Sequence, residues 1–80
     1  MSKSETEVTN MDAKIYTQNE NTINGRKVWL YLITTPIGNI AVVDYEQTDL
    51  TIARTLFDND YDKAEKFFIY TCKKILDGKL

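Results

Sequence analysis

Few residues in this chain are of types that do chemistry, and their spacing narrows what they can do. The 80 residues contain no histidine, so proton transfer would fall to carboxylates, lysines or tyrosines. Asp44 and Glu46 stand two apart at the end of an apolar run. On an extended strand they share a face, which is the minimum geometry for a carboxylate pair. Such pairs are also ordinary at solvated strand ends, and no second feature supports catalysis. Asp58, Asp60 and Asp62 repeat the alternate-acid spacing that opens a calcium loop. The sixth position would then be Lys63 instead of Gly, and the twelfth Ile69 instead of a bidentate Glu. The trio therefore reads as helix capping with favourable charge at the positive end of a helix.

Cys72 is the sole cysteine, which excludes an internal disulfide and, without histidine, leaves no structural zinc set. It falls on the apolar stripe of a C-terminal helical segment with no base beside it, and it reads as a small core residue. There is no Gly-rich phosphate loop or nucleophile elbow. No cofactor, metal or small-molecule substrate is implied, and the expectation is a protein that is not an enzyme.

The remaining chemistry is aromatic. Tyr16, Trp29, Tyr31 and Tyr45 are the candidate partner-binding residues, because Trp and Tyr concentrate at protein interface hot spots. An aromatic sheet face could instead stack bases, but such platforms lie in basic grooves. Only Lys14, Arg26 and Lys27 flank these strands. The chain carries 10 basic and 12 acidic residues, a net charge of −2, which disfavours a nonspecific phosphate binder.

These side chains must be positioned by a small sheet. Residues 1–12 are polar and nearly devoid of apolar content, so they are expected to form a disordered tail, and residues 13–80 a single small domain. A short strand over 14–18 leads to Asn24-Gly25, the strongest turn signal in the chain, because a type I′ turn needs positive φ at both central positions. With that pair as a two-residue loop, Tyr16 faces Ile33, Thr17 faces Leu32 and Gln18 faces Tyr31. The runs 28–33 and 40–43 are apolar at every position, and a sheet with one wet face should alternate instead. A five-residue loop, Thr35 to Asn39, would pair Leu32 with Val42, Ile33 with Ala41 and Trp29 with Tyr45. One face then collects Val28, Leu30, Leu32, Ile40 and Val42, and the other Tyr16, Trp29, Tyr31, Ile33, Val43 and Tyr45.

Residues 49–57 fit both a helical stripe and a strand face, with the strand reading slightly favoured. Residues 61–77 are a helix, with acidic caps before it, Lys73 and Lys74 near its end and Gly78 beyond. Its apolar positions are Tyr61, Ala64, Phe67, Phe68, Thr71, Cys72, Ile75 and Leu76. The predicted fold is α+β: a small antiparallel meander of three or four strands followed by one C-terminal amphipathic helix packed on the sheet. In element order alone, 28–76 is similar to integrase arm-binding and plant ethylene-response-factor DNA-binding domains. Those domains imply DNA reading by Arg-rich, Trp-bearing strands, whereas 28–43 here holds no basic residue.

One helix can cover one face of a sheet that is apolar on both. The functional expectation is a protein-binding module that docks through its uncovered face or edge, either on a protein partner or on a second copy of itself as a homodimer. The alternative is a small nucleic-acid-binding domain using Arg26, Lys27 and Tyr31. No run approaches the ~18 apolar residues of a membrane span, and the free thiol fits the cytoplasm. Enrichment in Asn, Ile, Lys and Tyr, whose codons are A/T-rich, points to a low-GC bacterium or one of its phages or plasmids, and the binding module is expected to be an accessory or inhibitor protein of a phage or mobile element.

Overall fold

The structure, a computed structural model, describes residues 13–80, and the expected tail over 1–12 lies outside them. Four antiparallel strands form a meander in the order β1-β2-β3-β4, and one helix follows. The strands are β1 (Lys14–Ile23), β2 (Arg26–Thr35), β3 (Gly38–Glu46) and β4 (Ile52–Leu56), and α1 spans Tyr61–Leu76. The α+β meander with a C-terminal helix is thus the fold of this chain.

Each hairpin is closed by local chemistry. Asn24 (φ 53°) and Gly25 (φ 79°) take the two left-handed positions between Ile23 and Arg26, as the Asn-Gly signal predicts. From Asn19 to Ile23 the pairing with β2 is the one expected from this loop. A bulge between Thr17 and Asn19 then shifts it by one residue, so that Tyr16 faces Leu32 and Thr17 faces Tyr31. A bulge moves all residues beyond it to the other face. Tyr16 accordingly shares a face with Leu32, not with Ile33.

The second turn is tighter than the expected five-residue loop. Thr35 pairs with Gly38, leaving only Pro36 and Ile37 between the strands. The Thr35 hydroxyl donates to the Gly38 carbonyl (2.7 Å) and accepts from the Ile37 N–H (3.3 Å), which extends the ladder to the tip. The register therefore pairs Ile33 with Ile40, Tyr31 with Val42, Leu30 with Val43 and Trp29 with Asp44. This one-residue difference exchanges the faces of β3: Val43 and Tyr45 join Val28 and Leu30, while Ile40, Val42 and Asp44 join Trp29 and Tyr31.

Residues 52–56 form a strand, in line with the favoured reading. The β3–β4 turn carries Leu50 at φ 67°, with its N–H on the Gln47 carbonyl and the Gln47 N–H on the Thr51 carbonyl. This is a three-residue hairpin whose left-handed position is usually filled by Gly.

Helix α1 starts at Asp60, whose carboxylate accepts from the Lys63 N–H (3.0 Å), the capping role read from the acidic trio. It stops in a Schellman motif: Gly78 at φ 74° donates to the Ile75 carbonyl and Lys79 to the Lys74 carbonyl. Its buried residues, Ala64, Phe68, Thr71 and Ile75, recur at helical spacing, and Leu76, expected on this stripe, is exposed instead. The core they build contains Val28, Leu30, Ala41 and Val43, flanked by Ile23, Tyr45, Phe57, Tyr61, Phe67 and Cys72. Burying side chains such as Leu30 and Ile75 contributes roughly 1.5–3 kcal/mol each. The helix thus takes the aliphatic face of β2 and β3.

Candidate functional site

The face opposite α1 has no element over it among the described residues. Residues directly opposite each other on neighbouring strands share a face, so the pairings assemble this open surface in rows. Next to the Thr35–Gly38 pair at the Pro36-Ile37 tip lies the row Ile15, Ile33 and Ile40. Next come Thr17, Tyr31, Val42 and Leu56, then Glu20, Trp29, Asp44 and Arg54. Near the Asn24-Gly25 end lie Thr22, Lys27, Glu46 and Ile52. Ile15 is 66 % exposed, Leu56 60 % and Ile52 49 %. Ile15 lies on the β1 edge, and Ile52 and Leu56 flank Arg54 on the β4 edge, so open aliphatic side chains rim this face, exposure of the kind that marks interaction sites.

Two features give the patch structure. The Trp29 and Tyr31 rings stack nearly parallel, with interplanar angle 11° and centroids 6.4 Å apart. Beside them Arg54 grips Asp44 with both tines of its fork, Nε to Oδ1 and Nη2 to Oδ2, each at 2.8 Å. The Asp44 side chain is 5 % exposed while that of Arg54 is 59 % exposed. A carboxylate buried to that degree requires a hydrogen-bonded partner, and Asp44 sits directly opposite Arg54 across β3–β4. Trp29, Tyr31, Asp44, Ile52 and Arg54 line a shallow depression. Val42, flanked by Tyr31 and Leu56, is fully buried although no helix covers it.

The electrostatics follow from this packing. Burial raises the Tyr31 phenol above its ordinary value, and the Asp44 carboxylate raises it further, against an opposing effect of Arg54. The Arg54 guanidinium is pushed up by its hydrogen bonds to Asp44. On the other side of the molecule, burial pushes the Cys72 thiol up, while the Asn21 amide opposes the shift. A thiol held protonated is a poor nucleophile, which agrees with the core reading.

Of the candidate binding residues, the structure brings Trp29 and Tyr31 together on the open face. Tyr45, opposite Val28, packs at the edge of the helix-covered core, and Tyr16, opposite Leu32, lies on that same side. The candidate carboxylates Asp44 and Glu46 share a face, but Asp44 is engaged by Arg54 and Glu46 accepts from the Lys27 N–H (2.8 Å). Arg26, a candidate phosphate contact, donates to the carbonyls of Glu46 and Leu80. Sequence reasoning missed Arg54, Ile52 and Leu56. The alternation Ile-Ala-Arg-Thr-Leu over 52–56 held the signal, once that segment is read as a strand on the edge of this sheet.

Fold and site together define a small α+β domain with a meander sheet, covered on one face by a single helix and presenting an aromatic and aliphatic surface on the other. No protein family, curated protein or solved structure matches the chain. Among the described residues no helix is long and apolar enough to cross a membrane.

Proposed function

We propose that this chain is a non-enzymatic protein-binding module that docks through the open face of its sheet. The observation that carries the reading is the stacked Trp29–Tyr31 pair set among Ile15, Ile33, Ile52 and Leu56 on a face with no cover among the described residues. Stacked aromatics on a sheet are rigid, amphipathic and large, so they anchor a partner at low entropic cost. The Asp44–Arg54 fork adds a fixed polar landmark, which supplies orientation. A small module of this kind acts by occupying a surface, as an accessory or inhibitor protein of a phage or mobile element does in the cytoplasm of its host. The test replaces Trp29 with Ser and Tyr31 with Thr and compares association with folding. Affinity capture from the source cell, with the particle mass measured in parallel, should show association lost while the denaturation midpoint moves little. A double variant that unfolds, or one that retains every wild-type association, removes the reading.

A further inference from the structure

We infer that the occupant of the open face is a second copy of this chain, stacked sheet to sheet about a two-fold axis running parallel to the strands between β2 and β3. The inference rests on the proposed docking role of that face and names its partner. Such an axis lays β1 of one copy over β4 of the other and β2 over β3, and it maps each cross-strand row onto itself in reverse. An isologous interface requires a surface complementary to itself under its own symmetry, and the charged positions at the rims of the rows and the apolar tip meet that condition.

In the row Glu20, Trp29, Asp44, Arg54, the axis sets Glu20 over the second copy's Arg54, and Trp29 over the second copy's Asp44. In the row Thr22, Lys27, Glu46, Ile52, it sets Lys27 over the second copy's Glu46. In the tip row it sets Ile33 over Ile40, and in the row between, Tyr31 over Val42 and Thr17 over Leu56. Opposite charges meet at Glu20 with Arg54 and at Lys27 with Glu46, Asp44 stays paired within its own copy, and apolar groups meet at the tip. The other two-fold axis in the plane, across the strands, would lay the isoleucine end of one copy over the charged end of the other and lacks this match.

Unused hydrogen-bonding groups point the same way. Asp44 takes Nε and Nη2 of Arg54, and Nη1 makes no hydrogen bond among the described residues; nor do the Trp29 indole N–H and the Tyr31 hydroxyl. Half-buried indoles and phenols normally find partners for their polar tips. The second copy supplies the exposed Glu20 carboxylate over Arg54. The size falls at the lower end for a dimer. Strands of 10, 10, 9 and 5 residues set about 4.8 Å apart present about 540 Å² in projection, more once side-chain relief is counted. Stable interfaces bury about 600–1,000 Å² per partner.

The test mixes charge variants of the full chain. Wild type is expected to sediment as a dimer at about 100 μM. Lys27→Glu sets a carboxylate against the second copy's Glu46, and Glu46→Lys sets an ammonium against its Lys27. Each variant alone should weaken dimerisation about tenfold or more. In an equimolar mixture the carboxylate introduced in one variant meets the ammonium introduced in the other, and the native Lys27 and Glu46 that remain meet across the interface. The mixture should therefore recover the wild-type constant as a heterodimer. Should the loss of the Glu46 hydrogen bond unfold that variant, Glu20→Lys, at an exposed position facing the second copy's Arg54, should weaken dimerisation by a similar factor. A wild type that stays monomeric, a dimer indifferent to these charges, or a mixture that fails to recover overturns the inference. A monomeric wild type that still captures a partner, and loses it on Trp29→Ser, leaves the docking role standing without the second copy.

Discussion

Replacing Arg54 with Met removes the guanidinium and keeps most of the apolar stem, so it isolates what the fork gives Asp44. Two charge-assisted hydrogen bonds of 2.8 Å disappear, and a side chain only 5 % exposed is left without its partner. Hydrogen bonds to charged groups contribute roughly 1.5–3 kcal/mol. Breaking a fully buried pair costs about 3–5 kcal/mol. Arg54 is itself 59 % exposed, so water reaches the orphaned carboxylate once the guanidinium is gone, and the lower range applies. The expected loss is about 2 kcal/mol, which for a domain of this size lowers Tm by about 8–16 °C. The assay is urea denaturation at pH 7 and low protein concentration, followed by tryptophan fluorescence, since Trp29 lies directly opposite Asp44. The companion variant Asp44→Val with Arg54→Met removes both charges, and should recover most of the loss because no ion is left buried. A single variant within about 0.5 kcal/mol of wild type would refute the reasoning, since the pair would then behave as an ordinary surface ion pair.

Three further outcomes follow from the same structure. Thr71 is fully buried on the sheet-facing side of α1 with no partner for its hydroxyl, so Thr71→Val should stabilise by about 1–2 kcal/mol; a lower urea midpoint would mean that the hydroxyl is hydrogen-bonded. Leu50 holds φ 67° while mostly exposed. Leu50→Gly should stabilise by about 0.5 kcal/mol, the relieved strain less the extra freedom of Gly in the unfolded chain, and a loss in the thermal melt would count against it. The Tyr31 phenol is raised above its ordinary value, first by burial and then by Asp44. Its contribution is therefore complete below a pH of about 10, the unfolded value, and is lost as pH rises through the folded one. Tyr31→Phe should flatten the alkaline decline of the urea midpoint, and parallel curves for the two proteins would exclude the effect.

The local elements of this protein are written in short stretches of sequence. Asn24-Gly25 sets the first turn because few other pairs take two left-handed conformations cheaply, and Asp60 with Gly78 brackets α1 because caps act within one turn of the helix end. The strand at 52–56 was legible only as an ambiguity, since its apolar residues fit two periods over so short a run. Which residues share a face was decided elsewhere. The period of a strand is two, so the bulge near Gln18 moved the first residues of β1, and the tight second turn closed by the Thr35 hydroxyl moved the whole of β3, to the opposite side. These shifts separated Tyr16 and Tyr45 from Trp29 and Tyr31, and brought Asp44 out from a supposed carboxylate pair into the grip of Arg54.

By itself the sequence determined that a sheet apolar on both faces would be followed by a single helix, because hydrophobic periodicity and capping are local properties of the chain. Only the tertiary structure decided that the helix takes the aliphatic face and leaves the aromatic one open. That choice turns on hairpin register, which depends on backbone hydrogen bonds between residues apart in sequence, and no pattern of side-chain types states it.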